Sequence, residues 1–146
     1  MENGISKYSY VEWFSSDEIY ENITLWQSEL NFIKNEQLFL NELVQLYAPQ
    51  LLDKLIVEKS ENVIALLKMA DKELDELYTM VQTHKNQLEI MMDHINQFKM
   101  EKAYLQKHKE LIMAMKSYSE NYKTIKSEIF KIITTVMKKN KGLINN

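Results

Sequence analysis

The 146-residue chain has no cysteine and no arginine, only two glycines (Gly4 and Gly142) and a single proline, Pro49. Without cysteine there is no disulfide, no thiolate zinc site and no thiol nucleophile. Two glycines at opposite ends cannot build a phosphate-cradling loop, and no serine sits in the glycine-flanked elbow of a hydrolase. The lack of arginine removes the planar fork that grips carboxylate, phosphate or guanine with two bonds at once. Histidine is scarce as well. His84, His94 and His108 are preceded three residues earlier by Val81, Met91 and Leu105, so the Glu-x-x-His pairs of helical di-metal sites are missing. These absences predict no catalytic residues, no metal and no cofactor, and make an enzyme the least expected class.

Long apolar runs are missing too. Stretches such as Val63 to Leu67 and Leu111 to Met115 are far too short to span a bilayer. The opening residues lack the basic-then-apolar layout of a signal peptide. The expected setting is cytoplasmic, without membrane contact.

What is present is helix. Between Gln50 and Lys141 there is neither glycine nor proline, which a β-rich or α/β domain with its many turns could not tolerate. With 45% hydrophobic and 27% charged residues, the composition is that of a folded domain, not a disordered one. Apolar residues recur at alternating steps of four and three, the spacing that lines one edge of a helix. Ser15 with Glu18 matches a capping box. A first seam follows from it: Ile19, Ile23, Trp26, Leu30, Ile33, Gln37, Leu40, Val44 and Tyr47, broken only by Gln37. Pro49 stops that helix and suits the first turn of another. A short linking helix is expected over 50–58, with Ser60 as a candidate cap for a new start. Whether 50–98 is one helix or two stays open.

A second seam runs through Val63, Leu67, Ala70, Leu74, Leu77, Val81, His84, Leu88, Met91, Ile95 and Phe98. A third runs through Tyr104, His108, Leu111, Met115, Tyr118, Tyr122, Ile125, Ile129, Ile132 and Val136. The register slips near 97–102, where a turn is favoured over one continuous helix. The fold class expected is therefore all-α: an up-down-up bundle of three long, antiparallel, coiled-coil-like helices. The expected divisions are an aromatic-rich lead (1–14), one bundle domain (15–141) and a frayed tail (142–146).

The charge is uneven. Residues 1–62 carry eleven acids and four lysines, 63–98 six and three, and 99–146 four and eleven. An acidic first helix and a basic last helix attract each other as neighbours; the sharper alternative is a basic surface for nucleic acid. Lys138, Lys139 and Lys141 suit a helix C-terminus, whose carbonyls favour cations. His84 and His108 fall on two seams. A fold-back at 99 or 100 would set them about a heptad apart as separate buried histidines. Met91, Met92, Met100, Met113 and Met115 gather near the expected turn, as core filling or as a pliable groove.

On the first helix, Leu25, Phe32, Phe39 and Leu46 recur every seven residues, about 100° around from the main seam. Either they widen an internal core, or they are exposed and form an interface. Together with Trp13 and Phe14 of the lead they are the candidate interface residues. The expected function is a non-enzymatic protein–protein interaction or scaffold module. It would bind itself, as a homodimer, or another protein. One alternative is a regulator touching nucleic acid through the lysine-rich third helix, although nucleic acid is not the favoured partner. Another is a bundle holding a small molecule or lipid near the methionines.

Overall fold

The computed structural model describes residues 15–53, 56–93 and 98–145. The lead with Trp13 and Phe14, together with His94, lies outside the described residues. Among the described residues four helices follow in order: α1 (Ser16–Leu46), α2 (Ala48–Leu51), α3 (Val57–Asp93) and α4 (Phe98–Asn145). There is no strand among the described residues, and none of their helices is long and apolar enough to cross a membrane.

α1 starts where the capping box places it. The Ser15 Oγ accepts the Glu18 amide at 3.1 Å, satisfying one of the amides a helix start leaves without a partner. Pro49 lies in the first turn of α2, whose missing amide hydrogen would have had no helical acceptor anyway. The linking helix is thus 48–51, earlier and shorter than the 50–58 read from sequence. Residues 50–98 form two helices, and the break falls after Leu51, not at Lys59–Ser60. α3 starts from the Asp53 carbonyl, which accepts the Ile56 and Val57 amides at 3.0 and 2.9 Å. Ser60 is no cap: its amide bonds the Ile56 carbonyl at 2.8 Å and its side chain is buried. The polar stretch around it is the outer face of an unbroken first turn.

α3 ends at Asp93 and α4 begins at Phe98, so the reversal comes a few residues before 97–102. α4 also runs past Gly142 to Asn145 instead of ending at Lys141. A glycine near a helix end costs only about 1 kcal/mol relative to alanine and does not compel a stop; no described residue has a positive φ.

The chain divides into two compact units, Met1–Leu30 with Asp75–Ser117 and Asn31–Leu74 with Tyr118–Asn146. In unit 1, Ile19, Ile23 and Leu30 of α1 are buried, as are Leu77, Val81 and Leu88 of α3 and Leu111 and Met115 of α4. In unit 2 the buried set is Ile33 and Leu40 of α1, Leu51 of α2, Val63, Leu67, Ala70 and Leu74 of α3, and Ile125, Ile129, Ile132, Ile133 and Val136 of α4. Apart from Leu51 and Ile133 these are the seam positions, each buried Leu or Ile contributing about 1.5–3 kcal/mol. Cross-helix bonds give the directions within unit 2. Asn41 meets Asp71, and Glu36 meets both Tyr122 and Lys126. Lys59 meets Glu128, while Tyr118 meets Ala70. Gln37 pairs with Tyr118 while Val44 lies beside Ile132 around a small void, so α1 and α4 ascend together in this unit. Lys59 with Glu128 and Ala70 with Tyr118 show α3 running the other way, which is the up-down-up order.

Unit 2 also shows how the broken seam is repaired. Gln37 is buried, and its Nε2 donates to the Tyr118 hydroxyl at 2.8 Å. That hydroxyl donates in turn to the Ala70 carbonyl at 2.8 Å. One polar chain crosses α1, α4 and α3, and each of its donors has an acceptor. The charge asymmetry is used here as well. Lys126 pairs with Glu36 at 3.0 Å, and Lys139 with Asp53 at 2.7 Å. Lys139 thus reaches across to the α2–α3 link.

Candidate functional site

Two features stand out: a polar cluster inside unit 1 and an apolar face on the outside of α1.

The cluster forms because the second and third seams each place a histidine on their buried edge. The four-residue step between Asp93 and Phe98 brings those positions level. His84 Nε2 and His108 Nδ1 lie 2.9 Å apart, with both side chains fully buried. The separation of about a heptad expected from a fold-back at 99 or 100 is therefore wrong. The earlier reversal moves α4 along α3 by about two turns and makes the two rings direct partners. Around them, Asn22 Nδ2 stands 3.1 Å from His108 Nε2, and the Tyr104 hydroxyl donates to the His84 carbonyl at 2.9 Å. The Tyr104 ring stacks on His84 at 4.1 Å, and Trp26 lies 5.0 Å from His108.

Proton bookkeeping follows from these contacts. With Asn22 donating, His108 accepts at Nε2 and carries its proton on Nδ1. It donates that proton to His84 Nε2, so His84 holds its own on Nδ1. That atom is buried and has no hydrogen-bond partner. Burial disfavours the imidazolium, pushing both rings from the usual 6.5 down to about 4. For His84 the neighbouring His108 and then Lys107 add to the effect. Burial also raises the Tyr104 phenol well above its ordinary range. The pair is a neutral, buried contact between the two rings. Among the described residues no group of three or more His, Asp or Glu could hold a metal ion.

The apolar face is the heptad stripe on α1. In unit 2, Phe32 is 64% exposed, Phe39 52% and Leu46 68%. One heptad earlier, in unit 1, Leu25 is also largely exposed. Of the two readings left open by the sequence, a widened core or an outer surface, the structure gives the surface. Leu38, beside Phe39, is exposed as well. Seam positions already occupy the interior, and a stripe 100° away turns out of reach of α3 and α4. α1 is acidic overall: it carries Asp17, Glu18, Glu21, Glu29 and Glu42 against a single lysine, Lys34, besides Glu36, which Lys126 and Tyr122 of α4 hold.

The methionines do not form one packed group. Met115 is buried, whereas Met92 and Met113 are exposed. A small, mostly apolar void lies elsewhere, in unit 2, lined by Val44, Leu51, Ile64 and Ile132 among others, with Ser60. At about 10 Å³ it has room for about one water. No family model matches the chain, and neither a curated protein nor a solved structure does.

Proposed function

We propose that this chain is a non-enzymatic interaction module that receives a basic amphipathic helix from a partner protein on the outer face of α1. The carrying observation is the exposure of Phe32, Phe39 and Leu46 at heptad spacing on one acidic helix. Large apolar side chains aligned in this way are one side of helix-on-helix recognition, in which anchors one or two turns apart supply the affinity. Flanking charge sets the choice of partner. Five acids besides the engaged Glu36, against one lysine on α1, disfavour a second α1 laid against the first and favour a lysine- or arginine-flanked helix.

A photo-crosslinking residue placed at Phe39, with a control at exposed Lys68 of α3, tests the proposal in cells. The expected adducts are unique to position 39 and map to a basic helical segment. A synthetic peptide of that segment should bind the purified protein and lose binding to F32S/F39S. Adducts only with a second copy, or the same adducts from both positions, would overturn the reading.

A further inference from the structure

A second surface lies away from the α1 face, in unit 2, where the first turn of α3 meets the outer side of α4. It is a shallow groove, widely open to solvent. Three ammonium groups border it, Lys59, Lys131 and Lys138, with three hydroxyls, Ser127, Thr134 and Thr135, and the ring of Phe130. The α4 members fall at helical spacing on the side opposite the buried Ile129, Ile132 and Val136. No carboxylate is among the lining residues. Glu128 stands at the margin, 3.4 Å from Lys131 and 3.8 Å from Lys59. Three ammoniums against that one carboxylate leave the groove at +2, in a chain whose net charge is −3.

We infer that this groove binds a small phosphorylated molecule bearing a planar ring, of the nucleoside monophosphate kind. Lysines act on a phosphate as point charges and need no arginine fork. The Ser127 and Thr134 hydroxyls can supply further donors to a dianion with several acceptor oxygens, whereas the Thr135 hydroxyl donates to the Lys131 carbonyl at 2.8 Å. Phe130, 40% exposed, offers a flat apolar surface on which a base stacks. A long polyanion fits less well, because it would run from a +2 patch onto acidic surface. Reading for aromatics on the lysine-rich helix finds Tyr118 and Tyr122, which are buried seam residues. The exposed ring is Phe130, one position off the seam.

The phosphate could be free or part of a lipid headgroup, so the test has an arm for each. Adenosine monophosphate, inorganic phosphate, phosphatidate-containing phosphatidylcholine vesicles and a twenty-nucleotide single strand are titrated at low salt while amide resonances are followed. Saturable shifts at Thr134, Thr135 and Lys138 are expected with adenosine monophosphate. K131Q/K138Q should weaken that binding about tenfold, and E128Q, which removes the competing carboxylate, should tighten it about threefold. F130A should weaken adenosine monophosphate about threefold while leaving inorganic phosphate unchanged. All these positions are solvent-facing, and circular dichroism checks that the variants keep their helices. The proposal is overturned by the absence of saturable shifts, by shifts indifferent to K131Q/K138Q, or by binding confined to vesicles or to the single strand.

Discussion

In unit 1 the interruption of the apolar pattern is an imidazole on α3 bonded to an imidazole on α4, whereas in unit 2 it is Gln37 on α1 bonded to Tyr118 on α4. Both occupy seam positions and both are buried. They differ in what acid does to them. The amide and phenol of unit 2 take up no proton in the range where proteins are handled, and their chain ends on a carbonyl that accepts its last hydrogen. The imidazoles of unit 1 titrate, and their chain ends on His84 Nδ1, which meets nothing. A buried hydrogen-bonded group can hold a bundle in register equally well in either case. Only one of the two makes the packing depend on pH.

The largest expected effect follows from that difference. The fold prefers neutral His84 and His108, lowering each from 6.5 to about 4. The unfolded chain therefore binds more protons between those two values. The contribution is complete above about pH 6.5 and is lost as pH falls towards 4. A shift of this size corresponds to on the order of 3 kcal/mol per ring. The total for the pair is less than double that, since the two sites are coupled. Amide hydrogen exchange between pH 7.5 and 4.5, corrected for intrinsic rates, should show protection lost first in 75–93 and 104–117. Loss at equal pH in both units would break the comparison.

Next in size are substitutions within the pair. His84→Leu alone leaves His108 Nδ1 buried without its partner and should cost about 2 kcal/mol in urea unfolding at pH 7.5. The double variant H84L/H108L removes both ends of the bond. It should recover most of that loss and flatten the acid response of unit 1. A double variant as acid-sensitive as the parent would move the sensitivity to other groups. In unit 2, Tyr118→Phe deletes one hydroxyl that serves both Gln37 and the Ala70 carbonyl. A cost of about 1–2 kcal/mol is expected, with no change in the pH at which unit 1 loses protection.

Much of the fold was legible because heptad spacing names the buried edge of a helix directly. Ile19 to Leu40, Val63 to Leu88 and Tyr104 to Val136 were read from spacing, and the residues found buried lie along those lines except Leu51, Ser60 and Ile133. Ser15 marked a helix start for a local reason, one hydroxyl and one amide three residues on. The joints were less legible. The step after Leu51 rests on the Asp53 carbonyl accepting two amides, which no residue type announces. The reversal between Asp93 and Phe98 lacks glycine and proline, and a misplacement of a few residues there moved His84 from a direct bond with His108 to a heptad away. The exposed stripe was visible as Leu25, Phe32, Phe39 and Leu46. Its exposure was not, because whether a second stripe is covered depends on how neighbouring helices are disposed around α1. Phe130 gave no warning for a related reason: a lone aromatic beside a seam reads as core until the helix rotation is known.

The smallest expected effect separates interior from surface most sharply. Leu40 and Phe39 are adjacent on α1, the first fully buried and the second half exposed. Leu40→Ala should cost about 2–5 kcal/mol, the usual range for a core cavity. F32S/F39S should change stability by no more than about 0.5 kcal/mol, with an unchanged urea m-value. Removing large apolar groups without a stability penalty means that those groups touch nothing of consequence in their own chain. Their retention on the surface then has to be explained by something outside it. A loss above about 1 kcal/mol in F32S/F39S would mean that the rings pack internally, and the α1 face would no longer be free to receive a partner.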